Sequence, residues 1–196
     1  MSEQSYPSEH TVPVWDILIR IFHWSLVVFF SVSYVTGEHG DWLHHWSGYT
    51  ITGLLVFRLV WGVIGTEHAR FRDFVRHPAH IRRYLTAMKE GRAERYLGHN
   101  PAGGVMIIAL LLGLSFMAFS GMLLAGFDGD GPLAGTALMA LQVLPIKALH
   151  ELTANALILG ILLHVGGVIY SSWLHRENLP KAMITGRKVS QEFHHE

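Results

Sequence analysis

The sequence predicts an all-α integral membrane protein: a four-helix bundle with both termini on the cytoplasmic side. Three observations predict it. Half of the 196 residues are hydrophobic and only 15% are charged, and the mean hydropathy is +0.29, too apolar for an ordinary soluble domain. Four stretches are each long enough to cross a hydrocarbon core of ~30 Å. Lys and Arg collect in two of the polar stretches and avoid the other two, which fixes the orientation.

The first span covers about residues 14–35. It carries Asp16 and Arg20 near its start and His23 nine residues in. A short acidic connection with Glu38 and Asp41 follows, so the second span, about 44–65, is an antiparallel neighbour. Arg58 is that span's only Lys, Arg, Asp or Glu. Its Gly48 and Gly53 leave room for a helix or a flat ligand. Residues 66–104 are polar, and 78–88 read as a surface helix with Pro78 in its first turn. The third span, about 105–127, holds no ionisable side chain and reads as packing. Residues 128–149 form a second long connection, whose apolar part, 133–144, is too short to span and is expected in the interface. The fourth span covers about 150–173, and the whole chain, 1–196, reads as one transmembrane domain.

The connection between spans two and three holds eight Lys and Arg, and the C-terminal tail holds four. The other two connections hold only Lys147. Basic loops stay cytoplasmic, so both termini and the middle loop face the cytoplasm and the acidic connections face outward. The first residues, 1–12, lack the basic-then-apolar order of a cleaved signal peptide, so the first span is expected to be retained. Formal charge balances at zero, which gives no basic nucleic-acid surface. There is no cysteine, which excludes disulfides, thiolate metal sites, iron–sulfur clusters and a covalently attached c-type haem.

Fourteen histidines are the unusual feature of the composition. His150 and His164, in the fourth span, lie fourteen residues apart, within roughly 40° of one helix face and about 21 Å apart along the axis. Ionisable groups at membrane depth are costly and point to function. His164 lies nine residues before Trp173, matching the depth of His23 in the first span. At the outer side, His150 matches the adjacent His44 and His45, which cannot both face inward. Two histidine pairs at two levels are what two bis-imidazole haems require, with iron taking one imidazole on each face. Filled axial positions favour electron transfer over oxygen chemistry. Arg20 and Arg58 lie toward the cytoplasmic side and suit haem propionates or a quinone headgroup. The histidines of the polar loop, His68, His77, His80 and His99, read as solvated or capping residues. Two imidazoles alone are a poor zinc site.

The sequence also resembles the bacterial cytochrome b561 and nickel–iron-hydrogenase b-type cytochrome group, from about Pro13 to Lys188. The resembling pieces begin with Val14-Trp-Asp-Ile-Leu-Ile-Arg-Ile-Phe-His-Trp24, Leu43-His-His-Trp-Ser-Gly-Tyr49 and Phe57-Arg-Leu-Val-Trp-Gly62. They continue with Gly98-His-Asn-Pro-Ala-Gly-Gly104, His150-Glu-Leu-Thr-Ala-Asn155 and Leu163-His164. His175-Arg-Glu-Asn-Leu179 and Met183-Ile-Thr-Gly-Arg-Lys188 complete the set. The resemblance implies four transmembrane helices, two non-covalent haems b and electron transfer at the bacterial inner membrane. It places the second-span ligand four residues before a glycine, on His44 before Gly48. The other ligands fall on His23, His150 and His164, pairing His23 with His164 and His44 with His150.

These readings point to an electron carrier between membrane quinone and a periplasmic redox partner such as a c-type cytochrome. Asp16, Glu67 and Glu151 are candidate proton acceptors if quinol is oxidised. A proton or ion transporter with a histidine relay, or a membrane anchor subunit of a redox enzyme, are the alternatives.

Overall fold

The computed structural model describes residues 10–38 and 42–190. Asp41 of the short acidic connection, and the histidines of the extreme C-terminus, lie outside them.

Strand β1 (Thr11–Pro13) leads into α1 (Ile17–Thr36). Helix α2 (Trp42–Ile64) follows. The polar loop holds a 3₁₀ turn (Glu67–Ala69), α3 (Phe71–Phe74) and α4 (Pro78–Lys89). Helix α5 (Pro101–Phe127) and a 3₁₀ segment (Ala137–Val143) precede α6 (Ile146–Leu174). Helix α7 (Leu179–Thr185) and strand β2 (Arg187–Val189) close the chain. The helices α1, α2, α5 and α6 are long and apolar enough to cross a membrane.

The helix ends differ from the hydropathy boundaries because capping sets them. α1 starts three residues later than expected because Asp16 caps it, accepting from Ile19 N at 3.0 Å. Asp16 and Trp15 therefore sit outside the helix. α5 starts four residues earlier, at Pro101, because Asn100 accepts from Gly103 N at 2.7 Å and proline suits the first turn. α6 starts at Ile146, directly after Pro145. The segment expected to lie in the interface is a short 3₁₀ stretch with no buried residue.

α1 packs on α2, α2 on α5 and α5 on α6. The core centres on Ile51 and Leu55 of α2, Leu114 of α5 and Leu157 of α6, with Leu26, Phe29 and Phe30 of α1 against it. Leu157 lies seven residues after His150 and seven before His164. The packed core is thus the layer between the two histidine levels. Close approach of α5 and α6 rests on glycines: a Cβ on Gly113 would stand 2.8 Å from Leu157. Outward faces are apolar and exposed, as at Val35, Val63 and Leu162, the surface expected of helices solvated by lipid.

The two chain ends meet. β1 pairs antiparallel with β2, Val12 opposite Lys188, so both strands lie at one end of the bundle together with α4. We call this the terminal end. Gly186 adopts φ +79° and a side chain there would strike Trp15 O at 2.6 Å, which is why glycine stands at this corner. Lys188 is 7% exposed. It pairs with Glu177 at 3.4 Å, and Arg95 pairs with the same carboxylate. Burial pulls the Lys188 ammonium below its ordinary range, against the opposing pull of Glu177.

Candidate functional site

At the end opposite the strands, His44 sits two residues into α2 and His150 four residues into α6. Their ring centres are 6.3 Å apart at 73°. Two imidazoles that approach one metal at ~2.0 Å each place their ring centres about 6 Å apart. His44 is half-buried, whereas its neighbour His45 is exposed. The helix turn, which rotates each residue by ~100°, decides which of the two faces His150.

The second contacts of these rings define their tautomers. His44 Nδ1 lies 2.9 Å from the Ser33 carbonyl oxygen and donates to it. His150 Nδ1 lies 2.8 Å from Ser120 Oγ. Ser120 Oγ itself donates to Phe116 O at 2.7 Å, so it accepts from His150. An imidazole protonated at Nδ1 carries its lone pair on Nε2, the arrangement of a metal-ligating histidine steadied by a backbone or hydroxyl partner. Ser120 is 1% exposed and has no packing reason to be polar. Gly121 beside it brings α5 close: a Cβ there would lie 3.4 Å from His150 Cε1.

Toward the terminal end, His23 sits six residues into α1 and His164 ten residues from the end of α6. The expected equal depth of nine residues changes because both helix ends moved. Both histidines lie in the half of their helix nearer the terminal end. His23 Nδ1 is buried without a hydrogen-bond partner among the described residues. A Cβ on Gly48 or Gly53 of α2, or on Gly166 or Gly167 of α6, meets nothing within 4 Å. Gly48, one turn after His44, and Gly167, three residues after His164, therefore leave space open on the helix faces that carry those histidines. A donor set of facing imidazoles with open faces beside it fits a haem, whose macrocycle supplies the other four nitrogens.

Arg20 donates to Ile184 O at 3.0 Å and so ties α1 to α7. Arg58 is 4% exposed. Its guanidinium lies over Phe71 at 4.7 Å and Phe74 at 5.9 Å, and its Nη1 has no hydrogen-bond partner among the described residues. Asp16 accepts from Thr66 Oγ1 at 2.6 Å and from Trp61 Nε1 at 3.2 Å besides capping α1. Burial pushes its carboxyl up, but these bonds and that from Ile19 outweigh it and hold it below its ordinary value. Asp16 is thereby a structural anchor. Glu67 and Glu151 are exposed.

The loop histidines divide. His77 caps α4, accepting from Ala79 N at 3.3 Å, and His80 is exposed, both as expected. His68 pairs with Asp73 at 3.2 Å. His99 departs from the expectation of a solvated or capping residue. Its ring packs between Trp15, tilted at 4.4 Å, and Phe74, edge-on at 4.9 Å, and its Nδ1 is buried without a partner among the described residues. Burial pushes this imidazole down to about 3, helped by nearby Arg58, Lys188, His68 and His164. Hydropathy missed His99 because it lies in a polar loop. The signal was the motif: in Gly98-His-Asn-Pro101, Asn100 and Pro101 start a helix and Gly98 passes over the His68–Asp73 pair, which leaves the histidine without a local task.

The family model of prokaryotic cytochrome b561 matches residues 14–186. Among relatives, the chain is 23% identical to a probable Ni/Fe-hydrogenase B-type cytochrome subunit of Rhodobacter capsulatus, over 93% of this chain and 83% of the relative. It is also 23% identical to a probable Ni/Fe-hydrogenase B-type cytochrome subunit of Azotobacter vinelandii, over 97% of this chain and 93% of the relative. No solved structure matches it. A bundle of four apolar helices, three of them carrying histidines, and the span of that match agree: the chain belongs to the prokaryotic cytochrome b561 family and is a multi-pass bacterial inner-membrane b-type cytochrome of electron transfer.

Proposed function

We propose that this cytochrome carries two bis-histidine haems b, one held by His23 and His164 and the other by His44 and His150. The observation that carries the reading is the His44–His150 pair, 6.3 Å apart, each ring steadied through Nδ1. Bound haem iron cycles between ferric and ferrous and so takes one electron at a time. The chain forms a single transmembrane domain whose apolar core separates the two levels. The protein passes electrons between the quinone pool and a periplasmic redox partner. Arg20 and Arg58 serve the haem propionates or a quinone headgroup. The excess of Lys and Arg in the polar loop and tail supports a cytoplasmic terminal end.

The names of the relatives favour a second reading of the partner: the chain serves as the membrane cytochrome subunit of a redox enzyme, which it connects to the quinone pool. Both readings need the same haems.

The test is an absorbance spectrum of the purified protein, oxidised and dithionite-reduced, with haem and protein quantified together. Two low-spin b-type haems per chain are expected. Their absence in protein made with ample haem would sink the reading and favour a histidine relay for protons or ions. Co-purification with a periplasmic c-type cytochrome or with a larger enzyme distinguishes the two partners.

A further inference from the structure

Five buried side-chain nitrogens lack a hydrogen-bond partner among the described residues: those of Arg20, His23, Arg58, Arg70 and His99. All five belong to the terminal end. Buried polar groups without partners are rare and require an explanation. Three of these five are guanidinium N–H donors, so the missing group is an acceptor. Arg58 adds a charge to the problem. Among the described residues no carboxylate lies within ion-pair distance of it, and the neighbouring Asp16 is committed to Ile19, Trp61 and Thr66. A buried cation without a direct ion-pair partner is unfavourable.

Arg58 and His99 share a wall. Phe74, 1% exposed, contacts the Arg58 guanidinium on one hand and the His99 ring on the other. His99 is neutral at physiological pH, so one of its nitrogens is an N–H donor. A buried guanidinium beside a neutral imidazole donor is the chemistry of a carboxylate site. Arg58 lies six residues from the end of α2, and His23 six residues from the start of α1, so both sit ~9 Å inside the same end.

Resting on the two-haem reading above, we propose that Arg58 and His99 form a carboxylate-binding pair that holds a propionate of the haem on His23 and His164. His99 is then a positioning residue of the cofactor.

The experiment is a redox titration of the full-length, haem-loaded protein in detergent, read by absorbance. Arg58→Gln removes a positive charge beside one haem and disfavours its reduction. Its midpoint is expected to fall by a factor of ten in the reduction equilibrium, about 59 mV for one electron, with the other haem unmoved. His99→Phe changes no charge and fills the same apolar slot. It is expected to move the same haem in the same direction by less. His99→Asn, whose amide N–H stands near the position of Nδ1, is expected to restore the wild-type value. If Arg58→Gln does not fold, Arg58→Lys keeps the charge and loses the fork, and a shift of the same haem is expected there. A shift in the Arg58 variant with none in His99→Phe means a through-space charge effect and overturns the pair. Unchanged potentials in all variants, or loss of quinone reactivity alone, also overturn it. Absence of haem from the wild type instead overturns the two-haem reading itself, and the pair falls with it.

Discussion

Ser120→Ala tests the contact that most directly links the fold to the haem ligand set. Ser120 Oγ accepts from His150 Nδ1 at 2.8 Å and donates to Phe116 O at 2.7 Å. Alanine returns Phe116 O to its helix bond but leaves the His150 N–H buried with no acceptor. Such a group costs ~1–3 kcal/mol. At ~1.4 kcal/mol per decade, that corresponds to a roughly five- to hundredfold loss of haem affinity, in line with the ~10–100-fold expected for a partner behind a metal ligand. The assay is the rate at which each haem passes to an excess of a haem-scavenging protein, with the two haems separated by their low-spin electron paramagnetic resonance signals. One haem is expected to leave faster and the other at the wild-type rate. Ser115 is the control, because its hydroxyl makes only the helical bond to Leu111 O at 2.8 Å, and Ser115→Ala is expected to change neither rate. Equal, unchanged rates in Ser120→Ala would refute the assignment of His150 as a ligand steadied from α5.

Three further outcomes follow from the same geometry. His44→Ala is expected to lower the haem-to-protein ratio from two to one while His45→Ala leaves it at two; the pyridine haemochrome assay decides. His99 has its imidazole held down to about 3 from 6.5, so between these values the unfolded chain binds the extra proton and acid destabilises the fold. The stability His99 contributes is full above about pH 6.5 and is lost as pH falls toward 3, and His99→Asn is expected to flatten that part of the thermal-stability profile in detergent. Glu177→Gln leaves Arg95 and the nearly buried Lys188 without their shared carboxylate. A cost of about 3–5 kcal/mol is expected, read as an earlier thermal transition and faster proteolysis at the β1–β2 end.

Much of the fold was legible in the sequence because lipid imposes a simple rule. A backbone in hydrocarbon must satisfy its own hydrogen bonds, so length and hydropathy alone identify spanning helices. The four histidines stood out in the sequence for a related reason: an imidazole at that depth is costly and points to function. Their depths were less legible, since Asp16 and Asn100 move the helix ends by capping, and capping depends on local side-chain geometry that hydropathy averages away. The choice between His44 and His45 came from a resemblance in spacing, and the structure separates the two by exposure.

Other features were decided only in three dimensions. The pairing of β1 with β2 joins residues some 176 apart in sequence, and three-residue strands carry no periodic signal. The buried Arg95–Glu177–Lys188 cluster draws on the polar loop and the tail, two stretches far apart in the sequence. His99 looked like a loop histidine and became an interior one because Trp15 and Phe74 close on it from two other elements. The sequence by itself determined what must be buried in lipid and which costly groups are buried there. The tertiary structure decided which of those groups meet, because hydropathy is summed along one helix whereas ligand pairs, ion clusters and caps form between segments far apart in the chain.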